Sequence, residues 1–62
     1  MPVVIVKLAA GRSKEKKEAL AKDISAAVVK NLELPNADHV WVLLEDLSRD
    51  DIMIGGELLS SK

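Results

Sequence analysis

Two short apolar segments flank one long helical stretch, an arrangement that leaves the chain with more sheet surface than it can cover. Val3 to Leu8 (VVIVKL) is rich in β-branched residues and too short for a helix, so it predicts a strand. Its alternating sets, Val4, Val6, Leu8 and Val3, Ile5, Lys7, are both largely apolar, as in a strand covered on two sides. A second strand is expected from His39 to about Glu45 (HVWVLLE), with Val40, Val42 and Leu44 on one side and Trp41 and Leu43 on the other. Between them, Ala9, Ala10 and Gly11 lead into a turn, and Ser13 is placed to cap a helix with Glu15 in its first turn. Leu20, Ile24, Ala27, Val28 and Leu32 recur at helical spacing, and Pro35 is expected to stop the helix before a connection through Asn36, Ala37 and Asp38. Strand, helix, strand is a β-α-β unit with parallel strands and a right-handed crossover. One helix covers one face of such a sheet. The face carrying Val3, Ile5, Trp41 and Leu43 has nothing in the chain to pack against, so the sequence asks for a partner sheet.

Composition points the same way. A chain of 62 residues makes a single domain, 1–62, and buries only about 60% of the surface that its unfolded form exposes. Disulfides, a structural metal or association usually make up the deficit. The chain has no cysteine and one histidine, His39, which excludes disulfides, thiolate zinc sites, cysteine nucleophiles and a histidine-rich metal cluster. Association is what remains. A formal net charge of -1 draws the chain to neither nucleic acid nor an anionic membrane. The longest apolar run is well short of the roughly 20 residues a membrane span needs, and the N-terminus lacks the pattern of a secretory signal. A soluble, cytoplasmic α+β protein is expected. After the second strand, Ser48 to Asp51 reads as a polar turn, Ile52 to Ile54 as a short third strand, and Gly55-Gly56 as a flexible turn before a brief tail.

Most familiar catalytic constellations are missing. AAGRSKE lacks the glycine spacing of a phosphate loop. His39 has no nucleophile elbow beside it and reads as a surface residue at a strand start. Asp50-Asp51 reads as a solvated turn rather than an oxygen cage, and Lys14 to Lys17 as the wet face of the helix. Pro2 stands apart. A small second residue permits removal of Met1, and the product has a free secondary amine that is a base without any side chain; proline also commonly opens an edge strand.

Pro2 with its apolar strand, Gly11-Arg12-Ser13 opening a helix, Pro35, the VWVLLED strand and Ile54-Gly55-Gly56-Glu57 together resemble the 4-oxalocrotonate tautomerase family over nearly the whole chain. The resemblance implies a β-α-β protomer that dimerises into a four-stranded sheet, with three dimers forming a hexamer. It implies no cofactor and no metal, a small enol or oxo acid as substrate, Pro2 as catalytic base and acid, and Arg12 as the residue that binds a substrate carboxylate. Two positions depart from the best-known members: Trp41 aligns where they have a second arginine, and Ile52 where they have a phenylalanine. Arg49, the only other arginine, sits in the adjoining turn and is the candidate substitute.

A 1,3-keto-enol shift removes a proton at one atom and returns it at another, which a base with a pKa near the working pH does efficiently. An α-amino group titrates near 8 as a reference. Burial among apolar side chains and a nearby cation lower that value, because each disfavours the charged amine. Val40, Trp41, Leu43, Ile52 and Met53 are the expected walls, with Arg12 as the cation. With Trp41 at the far end, a monoacid enol is the expected substrate in preference to a diacid. A retained Met1 would make the Pro2 nitrogen an inert amide. Two alternatives accompany this reading. One is a hydratase or dehalogenase in which Glu45 or Asp46 activates water; the other is a non-catalytic subunit of a mixed hexamer.

Overall fold

The computed structural model describes residues 2–62; the expected loss of Met1 concerns a residue outside that range. Strand β1 (Val3–Ala9) is followed by helix α1 (Lys14–Leu32) and strand β2 (Trp41–Leu47). The strands pair in parallel, from Val3 opposite Trp41 to Ala9 opposite Leu47. The β-α-β unit read from the sequence is therefore the fold, with both strands running slightly past their expected ends.

The connections have local causes. The Ser13 hydroxyl accepts the Lys16 N–H at 3.2 Å and so caps α1 as its sequence position suggests. The far end falls at about Leu32, the last residue of the helical pattern, but the helix stops before Pro35 comes into play. Glu33 turns into the left-handed region at φ 54°, and the Leu34 N–H returns to the Val29 carbonyl at 3.0 Å. His39 and Val40, expected in β2, belong instead to the preceding turn. There Asp38 N–H bonds the Asn36 side-chain oxygen at 3.0 Å and Val40 N–H bonds the Ala37 carbonyl at 3.0 Å. Pairing begins only where the Trp41 N–H reaches the Pro2 carbonyl, at 3.0 Å.

Beyond β2, the polar turn is a 3₁₀ turn (Arg49–Asp51) capped by Ser48. Ile52 lies just ahead of the short strand β3 (Met53–Ile54), which pairs not with the main sheet but with β4 (Glu57–Leu58). Ile54 opposite Glu57 leaves a two-residue loop, and Gly55 and Gly56 both take positive φ, 60° and 85°. That is the mirror-image turn that fits strand twist and that only residues tolerant of positive φ can make. The pair expected to be a flexible turn is thus a defined hairpin. A second 3₁₀ turn (Leu59–Ser61) ends the chain.

The two sheet faces differ as the sequence suggests. Val4, Val6, Leu8, Val42 and Leu44 are half-buried on one side, while Val3, Ile5, Trp41 and Leu43 stand about half exposed on the other. The helical stripe is narrower than expected: Ile24 and Val28 are half-buried together with Ala21 and Ser25, but Leu20, Ala27 and Leu32 are exposed. A sheet of two strands is too narrow to cover the whole stripe. None of the described residues is buried. The radius of gyration is 14.6 Å, against about 10.6 Å for a globular chain of this length. No helix among the described residues is long and apolar enough to cross a membrane.

Two predictions follow from this packing. Ser13→Ala should destabilise the protein by about 1 kcal/mol, the usual worth of such a cap, in equilibrium denaturation. Covering the open face should contribute on the order of 1 kcal/mol for each of its four half-exposed apolar side chains. Sedimentation should therefore show an assembled species that Ile5→Lys dissociates; a folded, cooperatively melting monomer at micromolar concentration would contradict this.

Candidate active site

Parallel pairing sorts the candidate residues by strand end. At the N-terminal end, Pro2 is half-buried and its carbonyl is held by the Trp41 N–H. Together with Leu34, Pro35, Asn36 and His39 it lines a largely apolar cavity of about 360 Å³, within the range of small-molecule sites. The left-handed turn at Glu33 brings Leu34 and Pro35 there, and the Asn36–Val40 turn presents His39.

At the C-terminal end, Arg12 donates from Nη1 to the Ala9 carbonyl at 2.9 Å, and Arg49 donates from Nε to the Ala10 carbonyl at 3.3 Å. The two guanidinium groups thus lie at the same end of the protomer, each on a carbonyl at the exit of β1. Sequence reasoning left the register of Arg49 open; the fold puts it at the same strand end as Arg12. The first turns of α1 are tied to the same end of β2 by Lys17, whose Nζ lies 2.8 Å from Asp46 Oδ2.

The protomer does not bring these groups together in one site. From Pro2 to Ala9 the strand rises about 23 Å at roughly 3.3 Å per residue. Trp41 adjoins Pro2 through the backbone, but its side chain stands on the open sheet face with Leu43. Ile52 is half-buried in the C-terminal segment, where its carbonyl accepts the Leu59 N–H at 2.8 Å; Met53 is exposed beside it. Of the five expected walls, Val40, Trp41, Leu43, Ile52 and Met53, none lines the cavity beside Pro2. Leu34, Pro35, Asn36 and His39 take that place. The signal was the parallel register itself: residues just before β2 must lie beside residues just before β1. Among the described residues no cluster of three or more histidine, cysteine or carboxylate side chains forms a metal-binding group.

Residues 2–62 match the family model described as tautomerase enzyme. A probable tautomerase of Lactiplantibacillus plantarum is 40% identical over 62 residues, covering all of this chain and 95% of its own. The 2-hydroxymuconate tautomerase of Pseudomonas putida is 35% identical over 60 residues, covering 97% of this chain and 94% of its own. A crystal structure of a 4-oxalocrotonate tautomerase homologue superposes with a TM-score of 0.91 at 35% identity, across 100% of this chain and 97% of that one. With a full-length family match and a shared β-α-β fold, the chain belongs to the tautomerase family and is an isomerase.

Proposed function

We propose that the chain is a cofactor-independent keto-enol tautomerase of small enol acids, with the Pro2 nitrogen, freed of Met1, as the group that moves the proton. The observation that carries this reading is the place of Pro2 at an apolar cavity of ligand size in a tautomerase-family chain. The surroundings suit the task. Leu34 and Pro35 give the site an apolar wall, the kind of surrounding that favours a neutral amine over a charged one. The neutral amine takes the enol O–H proton, and the resulting ammonium returns it to carbon, so the group ends as it began.

Arg12 is the proposed carboxylate anchor, with Arg49 at the same strand end as its candidate partner. A separation of about 23 Å along one strand is too long for a small acid to bridge. The arginines that serve one Pro2 therefore come from another copy. Antiparallel association of two sheets places the N-terminal end of one β1 near the C-terminal end of its neighbour, which supports a homodimer with a four-stranded sheet and, built from three of these, a hexamer. Trp41 and Ile52 supply the apolar end of the assembled site. The hydratase or dehalogenase reading is less well supported: Asp46 is engaged by Lys17, and Glu45 lies opposite Lys7 in the strand register.

Blocking the terminus with one added residue should reduce the rate of enol ketonisation by about 10² to 10⁴, the usual contribution of general acid-base catalysis. Pro2→Ala, which keeps a primary amine, should lose less. Equal rates for blocked and free proteins, with intact mass confirming both termini, would exclude Pro2.

Arg12→Ala should cost about 1.5 to 3 kcal/mol, the worth of hydrogen bonds to a charged group. That is roughly a 10- to 150-fold loss in kcat/KM. With both arginines at one end, the second carboxylate of a diacid would lie against Trp41 without a paired donor, which is costly in a desolvated site. An aromatic monoacid such as phenylenolpyruvate gains contact there instead. The wild-type protein should accordingly prefer phenylenolpyruvate to 2-hydroxymuconate in kcat/KM, and the reverse order would show that Arg49 serves a separate carboxylate.

A further inference from the structure

Pro2 shares its cavity with one ionisable side chain, His39, the only histidine of the sequence. The other lining residues are Leu34, Pro35 and Asn36, so among the described residues of the protomer the imidazole and the Asn36 amide are the polar side chains that line it. Asn36 is committed locally, its side-chain oxygen accepting the Asp38 N–H at 3.0 Å. The His39 ring makes no hydrogen bond with another described residue. Its backbone is well held nevertheless, between the Ala37–Val40 turn bond and the first strand residue, Trp41.

The register adds a direction. Val3 lies opposite Trp41, and the Asn36–Val40 turn that presents His39 comes immediately before Trp41, as Pro2 comes immediately before Val3. The turn therefore lies at the end of β1 that carries the Pro2 nitrogen. A substrate oxygen brought within reach of the nitrogen therefore enters the space beside the imidazole. The arginines cannot fill this role from the same protomer, since they stand at the opposite strand end.

We propose that His39 contacts the substrate at the Pro2 site and donates a hydrogen bond from its ring N–H to the oxygen on C2 of the enol acid. The inference rests on the reading of Pro2 as the proton carrier. The neutral Pro2 amine removes the O–H proton, leaving a dienolate whose oxygen carries the developing charge. His39 holds that oxygen without giving up its own proton. The Pro2 ammonium then protonates carbon, the C2–oxygen bond becomes a carbonyl, and no proton is gained or lost overall. A fixed donor aimed at an oxygen that gains charge stabilises the transition state more than the ground state, so its effect falls on kcat rather than on KM.

The experiment compares wild type, His39→Phe and His39→Gln, all with a free Pro2 terminus, on phenylenolpyruvate and 2-hydroxymuconate. In parallel, the His39 imidazole resonances of the wild type are followed by NMR while phenylpyruvate, the ketonised product, is added. A single histidine makes these signals unambiguous. His39→Phe, which keeps a ring without a donor, should lower kcat by about 10- to 100-fold, at or below the usual cost of losing one such donor, with KM little changed. His39→Gln, which keeps an N–H, should lose less, and the imidazole resonances should shift as phenylpyruvate binds. Turnover by His39→Phe within about twofold of wild type would overturn the proposal, and so would imidazole signals that stay fixed under millimolar phenylpyruvate. A wild type that shifts its imidazole signals but ketonises neither enol would instead overturn the proton-carrier reading of Pro2, while leaving His39 as a ligand contact.

Discussion

Parallel pairing of β1 with β2 governs where every candidate group of this protein sits. In an antiparallel hairpin the start of one strand meets the end of the other; here the two starts meet, and so do the two ends. Pro2 consequently faces the segment between α1 and β2, and the β1–α1 turn faces the segment after β2. Pro2 and its cavity lie at one pole, and Arg12 and Arg49 lie at the other. The crossover helix that parallel pairing requires is also what leaves the second sheet face open.

That open face links stability to function. A lone β-α-β unit with none of its described residues buried has little to offset the conformational entropy of ordering its chain. Association would cover Val3, Ile5, Trp41 and Leu43 and at the same time bring an arginine pole toward a proline pole. One step would then serve both needs, and a substitution in the open face would impair activity without touching any group that meets substrate. The C-terminal hairpin belongs to the same logic. Its short strands pair only with each other and present Met53 and Ile54 outward, an apolar surface unsatisfied within the protomer.

Much of the fold was legible in the sequence because it rests on local patterns. Ser13 announced the start of α1, the β-branched run announced β1, and alternation in VWVLL gave the correct sidedness of β2. What failed to show were features set by a hydrogen bond elsewhere in the chain. Glu33 has no sequence mark of a left-handed cap, so Pro35 looked like the terminator. His39 and Val40 continue an apolar, strand-like pattern, and only the Pro2 carbonyl at Trp41 fixes where pairing starts. The site was half legible for the same reason. Pro2 and Arg12 stand out by type and position, whereas the cavity beside Pro2 is assembled by register, which no single segment encodes.

On the proposed reading, a chain this small must also hold a base still without a core around it. A side-chain base on such a surface would be free to change rotamer, and fixing it would take neighbours that 62 residues do not provide. A backbone nitrogen at a strand start avoids this. The Trp41 N–H fixes the Pro2 carbonyl at 3.0 Å, and the pyrrolidine ring locks the torsion between the nitrogen and the α-carbon. The nitrogen is then one backbone torsion away from an atom that sheet pairing holds in place, with no side-chain rotamer between them. The same pairing explains why the residues that shape the cavity beside Pro2 come from the one segment that parallel strands lay next to it.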